Sequence, residues 1–189
     1  MSFQRRAAAG FVALLGFSLL AAACGGSTGL PTAVFTNVVD TVSLYALRGT
    51  AITLPSAYAL EGATTVRTDQ STFFDFAFDF DSVGEPALFP TGAVNLGQLS
   101  GLQKSTRPFE AITVATGSGY IVDRPIAIDS GTVVIVRSRP SQCLITATVS
   151  MYAKLRVLRV DSTARRVDFE ILVDQNCGYR GLAPGVPTQ

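Results

Sequence analysis

The 189-residue chain has no histidine, no tryptophan, only three cysteines, and only two lysines, Lys104 and Lys154. Without an imidazole there can be no Ser–His–Asp triad, no Cys–His pair, no HExxH zinc site and no histidine metal ligand. Without an indole the commonest platform for stacking a sugar ring is missing. Charge is sparse: 15% of residues are charged and the formal net charge is +1. That balance gives neither the basic excess that nucleic acid requires nor the acidic excess of a solvating tail, so no nucleic-acid partner is expected. No GxGxxG or Walker loop occurs, and Gly117-Ser118-Gly119 reads as a turn with no helix after it. Lys104 lies four residues after Ser100 rather than three, so the Ser–Lys pattern of penicillin-binding enzymes fails as well.

What the chain does have begins with an export segment. Arg5 and Arg6 form a positive start, and an apolar run from Ala7 to Ala23 follows, interrupted only by Gly10, Gly16 and Ser18. The run is at the short limit for a membrane span, and its flanks suit a cleaved signal peptide better. At its end, Leu20-Ala21-Ala22-Ala23-Cys24 resembles the lipobox of bacterial lipoproteins, departing from it at Ala21, where leucine is usual. The resemblance covers residues 1–26 and does not extend to the rest. It implies that the chain is cut before Cys24 and that this cysteine is diacylated. Its new amino terminus is often acylated too. Gly25, rather than aspartate, implies transfer to the outer membrane, periplasmic side, in a cell with two membranes. Two acyl chains hold firmly where one is marginal, each buried methylene contributing about 0.8 kcal/mol. The expected organisation is a signal peptide at 1–23, a lipidated cysteine and flexible Gly/Ser/Pro tether at 24–32, a β domain at 33–180 and a tail at 181–189. The membrane is the first expected partner, through the lipid, with an envelope protein or glycan as the second.

If Cys24 carries lipid, Cys143 and Cys177 remain as an even pair in an oxidising compartment. A bridge between them closes a loop of about 35 residues, which the chain-entropy model values at roughly 3–4 kcal/mol. The alternative is two separate buried thiols.

Between tether and tail the texture is β. Val, Ile, Thr, Phe and Tyr recur in short runs divided by Gly, Pro, Ser and Asp. Strands are expected near 39–47, 51–54, 63–68, 72–81, 109–114, 119–123, 126–129, 131–138, 144–160 and 166–174, with a short helical turn between Val94 and Lys104. In 74–81, Phe74, Phe76, Phe78 and Phe80 alternate with Asp75, Ala77, Asp79 and Asp81. Period two predicts one buried and one wet face. In 151–174, Met151, Ala153, Leu155 and Val157 match Val167, Phe169, Ile171 and Val173 across a turn at 161–165. That pairing leaves Lys154 and Arg156 beside Asp168, Glu170 and Asp174 on an exposed face. About ten short strands around one core make an all-β fold, an antiparallel β-sandwich.

Candidate chemistry centres on the acidic strand. Asp79 and Asp81, with Glu85 beyond a glycine turn, are candidate ligands for Ca2+, which takes six to eight oxygens. The EF-hand loop itself is excluded by Val83 and Pro90, which occupy ligand positions. Paired carboxylates also serve glycosidases without histidine; Asp75, Asp79 and Asp81 share a face, with neighbours about 7 Å apart along a strand. Tyr45, Tyr58, Tyr120, Tyr152 and Tyr179 are the rings available to a sugar. The plain alternative is a solvated strand face. Arg137 with Arg139, and Arg165 with Arg166, read as basic clusters on solvated loops. The expected function is therefore a non-catalytic, membrane-anchored cell-envelope lipoprotein with a structural or binding β-sandwich. The alternative is an extracytoplasmic carboxylate-pair hydrolase or a calcium- or carbohydrate-binding module.

Overall fold

A computed structural model describes residues 31–142 and 148–188. The segment expected to be a signal peptide, Cys24 and Cys143 lie outside the described residues. The described chain forms ten strands: β1 Val39–Tyr45, β2 Ala57–Ala59, β3 Thr64–Val66, β4 Phe76–Phe80, β5 Pro86–Pro90, β6 Gly101–Ser105, β7 Ile126–Ala127, β8 Val133–Gln142, β9 Thr148–Asp161 and β10 Arg166–Asp174. They make two five-stranded antiparallel sheets packed as a sandwich, ordered β1-β10-β9-β8-β6 and β3-β2-β4-β5-β7. The all-β sandwich expected from the strand texture is the observed fold, with no α-helix among the described residues.

The central hairpin follows the alternation of its residues. β9 and β10 pair with Ile171 opposite Leu155 and Val173 opposite Ala153. Between Asp168 and Phe169 the register shifts, leaving Leu158 as the extra residue of a β-bulge. The hairpin turn is closed by Asp161, whose Oδ1 accepts the Ala164 N–H at 2.9 Å. The inner face meets the phenylalanines of β4: Phe76 lies 5.9 Å from Phe169 and 5.6 Å from Tyr58, ring centre to ring centre. Leu44, Leu88, Leu102, Val136 and Leu155 complete this layer.

Several expected elements differ. Residues 51–54 form a turn closed by Leu54 N–H on the Ala51 carbonyl, because the run is too short to pair. Residues 109–114 begin as a short 3-10 turn at Phe109–Ala111, entered from Pro108, and Val114 makes a single bridge to Gly181. Residues 119–123 contribute one bridge, Ile121 to Leu102. The helical turn lies earlier than expected, at Thr91–Val94, and 101–105 is a strand. β5 is hidden by its prolines, which sit only at its two ends, where their missing N–H groups do least damage to the ladder. A bend at Asp75 breaks the four-phenylalanine period, so Phe74 joins Ala57 and Ala77 on the outer side of the second sheet.

Neither sheet has the bare wet face that alternation predicts. The crossing segment 106–122 and the C-terminal stretch lie over the first sheet, where Phe109, Ile112, Ala115 and Leu182 pack on Val133, Ile135 and Leu172. The 91–97 turn places Val94 and Leu96 over the second. Close approach requires glycine here: a Cβ at Gly92 would overlap the carbonyl oxygen of Val122, and one at Gly101 would sit 2.6 Å from the Tyr120 Cβ.

Candidate functional site

All five residues of β4 are buried, so its one carboxylate, Asp79, is held by partners rather than by water. Asp79 is 1% exposed. Arg48, from the β1–β2 connection, places Nε 2.6 Å from Asp79 Oδ2, and its Nη2 donates to the Phe80 carbonyl at 2.9 Å. Arg165, from the β9–β10 turn, approaches Asp79 Oδ1 at 3.3 Å, donates Nε–H to the Arg48 carbonyl and lies 4.4 Å over the Phe80 ring. Arg165 has φ +50°, and a Cβ at Gly49 would stand 2.9 Å from its Nε, so glycine makes room for this guanidinium. Asp79 thus ties three chain segments at one end of the sandwich.

Asp75 makes a second knot. Its Oδ2 accepts the Leu60 N–H at 2.7 Å, its Oδ1 accepts the Arg139 N–H at 2.7 Å, and Arg139 Nε stands 3.5 Å away. The Arg139 guanidinium covers the Phe73 ring at 3.5 Å. Ser100 Oγ donates to the Asp75 carbonyl at 2.6 Å. Burial pushes the Asp75 carboxyl above the usual carboxylate range, against the opposing pull of the two backbone N–H groups and Arg139. The solvated-face reading of Asp75 and Asp79 is therefore corrected: loop cover and arginine partners bury them.

Asp81 and Glu85 belong to the β4–β5 turn. Asp81 Oδ1 accepts the N–H groups of Val83 and Glu85, both at 2.9 Å, with Gly84 at φ +87°. Glu85 is exposed. The Asp79 carboxylate is taken by two guanidiniums while that of Asp81 caps the turn. No group of three acidic or thiol side chains arranged for a metal occurs among the described residues.

On the outer side of the first sheet, Lys154 is 2% exposed, which corrects its expected exposed position. Its ammonium donates to the carbonyls of Phe109 and Ile112, both at 2.9 Å, and lies 4.4 Å over the Phe109 ring. Burial lowers its pKa, opposed by Glu110 and Glu170. Arg156 does meet the expected acid, with Nη2 2.5 Å from Glu170 Oε1. Beside this cover a groove of about 210 Å³ runs along β6, with Gln103, Lys104, Arg107 and Thr116 around an apolar floor of Ile112 and Ile135. Tyr120 stands next to it, bonded through its hydroxyl to the Thr116 carbonyl and covered by Arg137 at 5.1 Å. The groove thus offers mostly polar side chains over a small apolar floor, beside an aromatic ring. The residue pattern gives no sign of this groove, because its lining is drawn from separate segments of the chain.

Cys177 is disulfide-bonded. Cys143, its expected partner, and Cys24, the expected lipidation site, lie outside the described residues. No known protein family matches the chain, and no curated protein matches its sequence.

Proposed function

We propose that this is a cell-envelope lipoprotein, held by acyl chains on Cys24 and presenting a non-catalytic sandwich with a structural or binding role outside the cytoplasm. The observation that carries the reading is the ordered series of Arg5-Arg6, the apolar run Ala7–Ala23, Cys24 and the Gly/Ser tether. The disulfide at Cys177 agrees with it, since such bonds persist in oxidising compartments. Cys143 is the proposed other half. The non-catalytic part rests on Asp75 and Asp79: a carboxylate pair must reach substrate and water, and both are buried among backbone and guanidinium donors. The β6 groove is the proposed contact for a glycan or envelope-protein ligand. Its polar side chains orient, and its apolar floor supplies contact area.

Expression of the full chain and of Cys24→Ser in a bacterial host tests the anchor. The full chain should take up labelled palmitate and sediment with membranes, and the variant should lose the label and move to the soluble fraction. Unchanged sedimentation and labelling of the variant would remove lipid anchoring.

A further inference from the structure

The end of the sandwich nearest the tether carries apolar side chains that the described residues leave uncovered. Val34 is 71% exposed, Phe35 55%, Val38 64% and Val186 54%. They share one place: Asn37 and Gly185 form an antiparallel bridge, which sets Val186 beside the 34–38 segment. This segment is built, not frayed. Asn176, 4% exposed, accepts the N–H groups of both Val34 and Phe35 on its Oδ1, at 2.8 and 2.9 Å, and returns Nδ2–H to the Phe35 carbonyl. Its Nδ2 also donates to Asp174, a buried carboxylate. Asn37 Nδ2 donates to the Gly181 carbonyl at 2.8 Å. The backbone is thus pinned by buried amides while its large side chains project into water. A small cleft of mixed lining, with Val38, Tyr58 and Val173 beside Thr36, Asp40 and Gln175, opens next to it.

We infer that this collar is a membrane foot, seated in the leaflet that holds the anchor. The inference rests on the lipid-anchor reading. Nine residues separate Cys24 from Val34. A Gly/Ser-rich linker composition gives that length a span of roughly 15–18 Å on average, which would keep the collar within reach of the headgroups. Asp40 is the one charged side chain in 34–40 and 183–188. Attraction is therefore apolar rather than electrostatic, and a zwitterionic surface suffices. The knot of Arg48, Asp79 and Arg165 lies at the other end of β1, turned away from the bilayer.

The absence of tryptophan allows a clean reporter. The lipidated full chain bearing Phe35→Trp is placed in phosphatidylcholine vesicles, with Ile52→Trp, beyond the far end of β1, as the comparison. Phe35→Trp should emit to the blue of its spectrum in the non-lipidated Cys24→Ser background. Lipids brominated near the acyl-chain top should quench it about twofold, because an interfacial apolar group sits roughly 5–10 Å into the headgroup boundary. High salt should leave the quenching unchanged, and Ile52→Trp should stay red and unquenched. A vesicle-bound protein whose Phe35→Trp emission is unshifted and unquenched would overturn the foot and leave the anchor standing. A protein without acyl chains by mass spectrometry would remove both. A blue shift without vesicles that grows with protein concentration would assign the collar to a second copy and overturn the inference.

Discussion

At Asp75 the fold places an ionisable group where its charge is costly and its oxygens are needed. Two backbone N–H groups and Arg139 favour the carboxylate, but burial outweighs them and the carboxyl titrates above its ordinary value. Such a group binds its proton more tightly folded than unfolded. Its favourable share is therefore complete below the ordinary carboxylate value of 3.8 and declines as pH rises through the folded value. In urea unfolding, the stability advantage of the protein over Asp75→Asn should shrink between pH 4 and pH 7. The loss should be about 1.4 kcal/mol for every tenfold by which folding tightens the hold on that proton. A gap that widened with pH would mean that Arg139, not burial, governs the group. The alternation in 76–80 shows that Asp79 faces away from the phenylalanines of β4, while the bend at Asp75 escapes it. It cannot show that arginines from positions 48, 139 and 165 close over them, since nothing local links those residues.

The hairpin and the segment that crosses it show the same division among elements. β9 and β10 are long, alternating and joined by a short turn, so their pairing is legible in their residues, Arg156 opposite Glu170 included. The 106–122 crossing carries too few apolar residues, too irregularly spaced, to announce a partner. It is held by a buried ammonium: Lys154 bonds two carbonyls of the crossing segment, Phe109 and Ile112. Lys154→Met keeps the length of the side chain but removes the donor to both carbonyls, leaving the Phe109 carbonyl only the Ile112 N–H at 3.3 Å. It should cost about 2 kcal/mol in urea unfolding, the scale of charged hydrogen bonds lost from a buried site. Amide exchange should accelerate first in residues 107–121, ahead of β9 and β10. Uniform acceleration would mean that Lys154 supports the sheet rather than its cover. The short strands β2, β5 and β6 are the hardest to read, because three to five residues carry almost no period of their own, and β5 and β6 also include proline or glycine.

For the molecule as a whole, the disulfide of Cys177 and the two covered sheets act on the same transition. Reduction should lower the unfolding free energy by about 2–4 kcal/mol. Cys177→Ser should match the reduced protein and show no further response to reductant; a variant that still responded would place a second bridge elsewhere. The all-β class, the two-layer architecture, the central hairpin and the expectation of export can all be read from the order of the residues. Each of these depends on short-range periodicity or a contiguous signal, where neighbours in the chain are neighbours in the physics. Packing alone sets which polar faces are dry, makes Asp75, Asp79 and Lys154 structural ties, and brings Val34, Phe35, Val38 and Val186 to one uncovered end. Burial of a strand's second face is set by what distant loops place on it, and those loops are positioned by the packed sandwich rather than by their own residues.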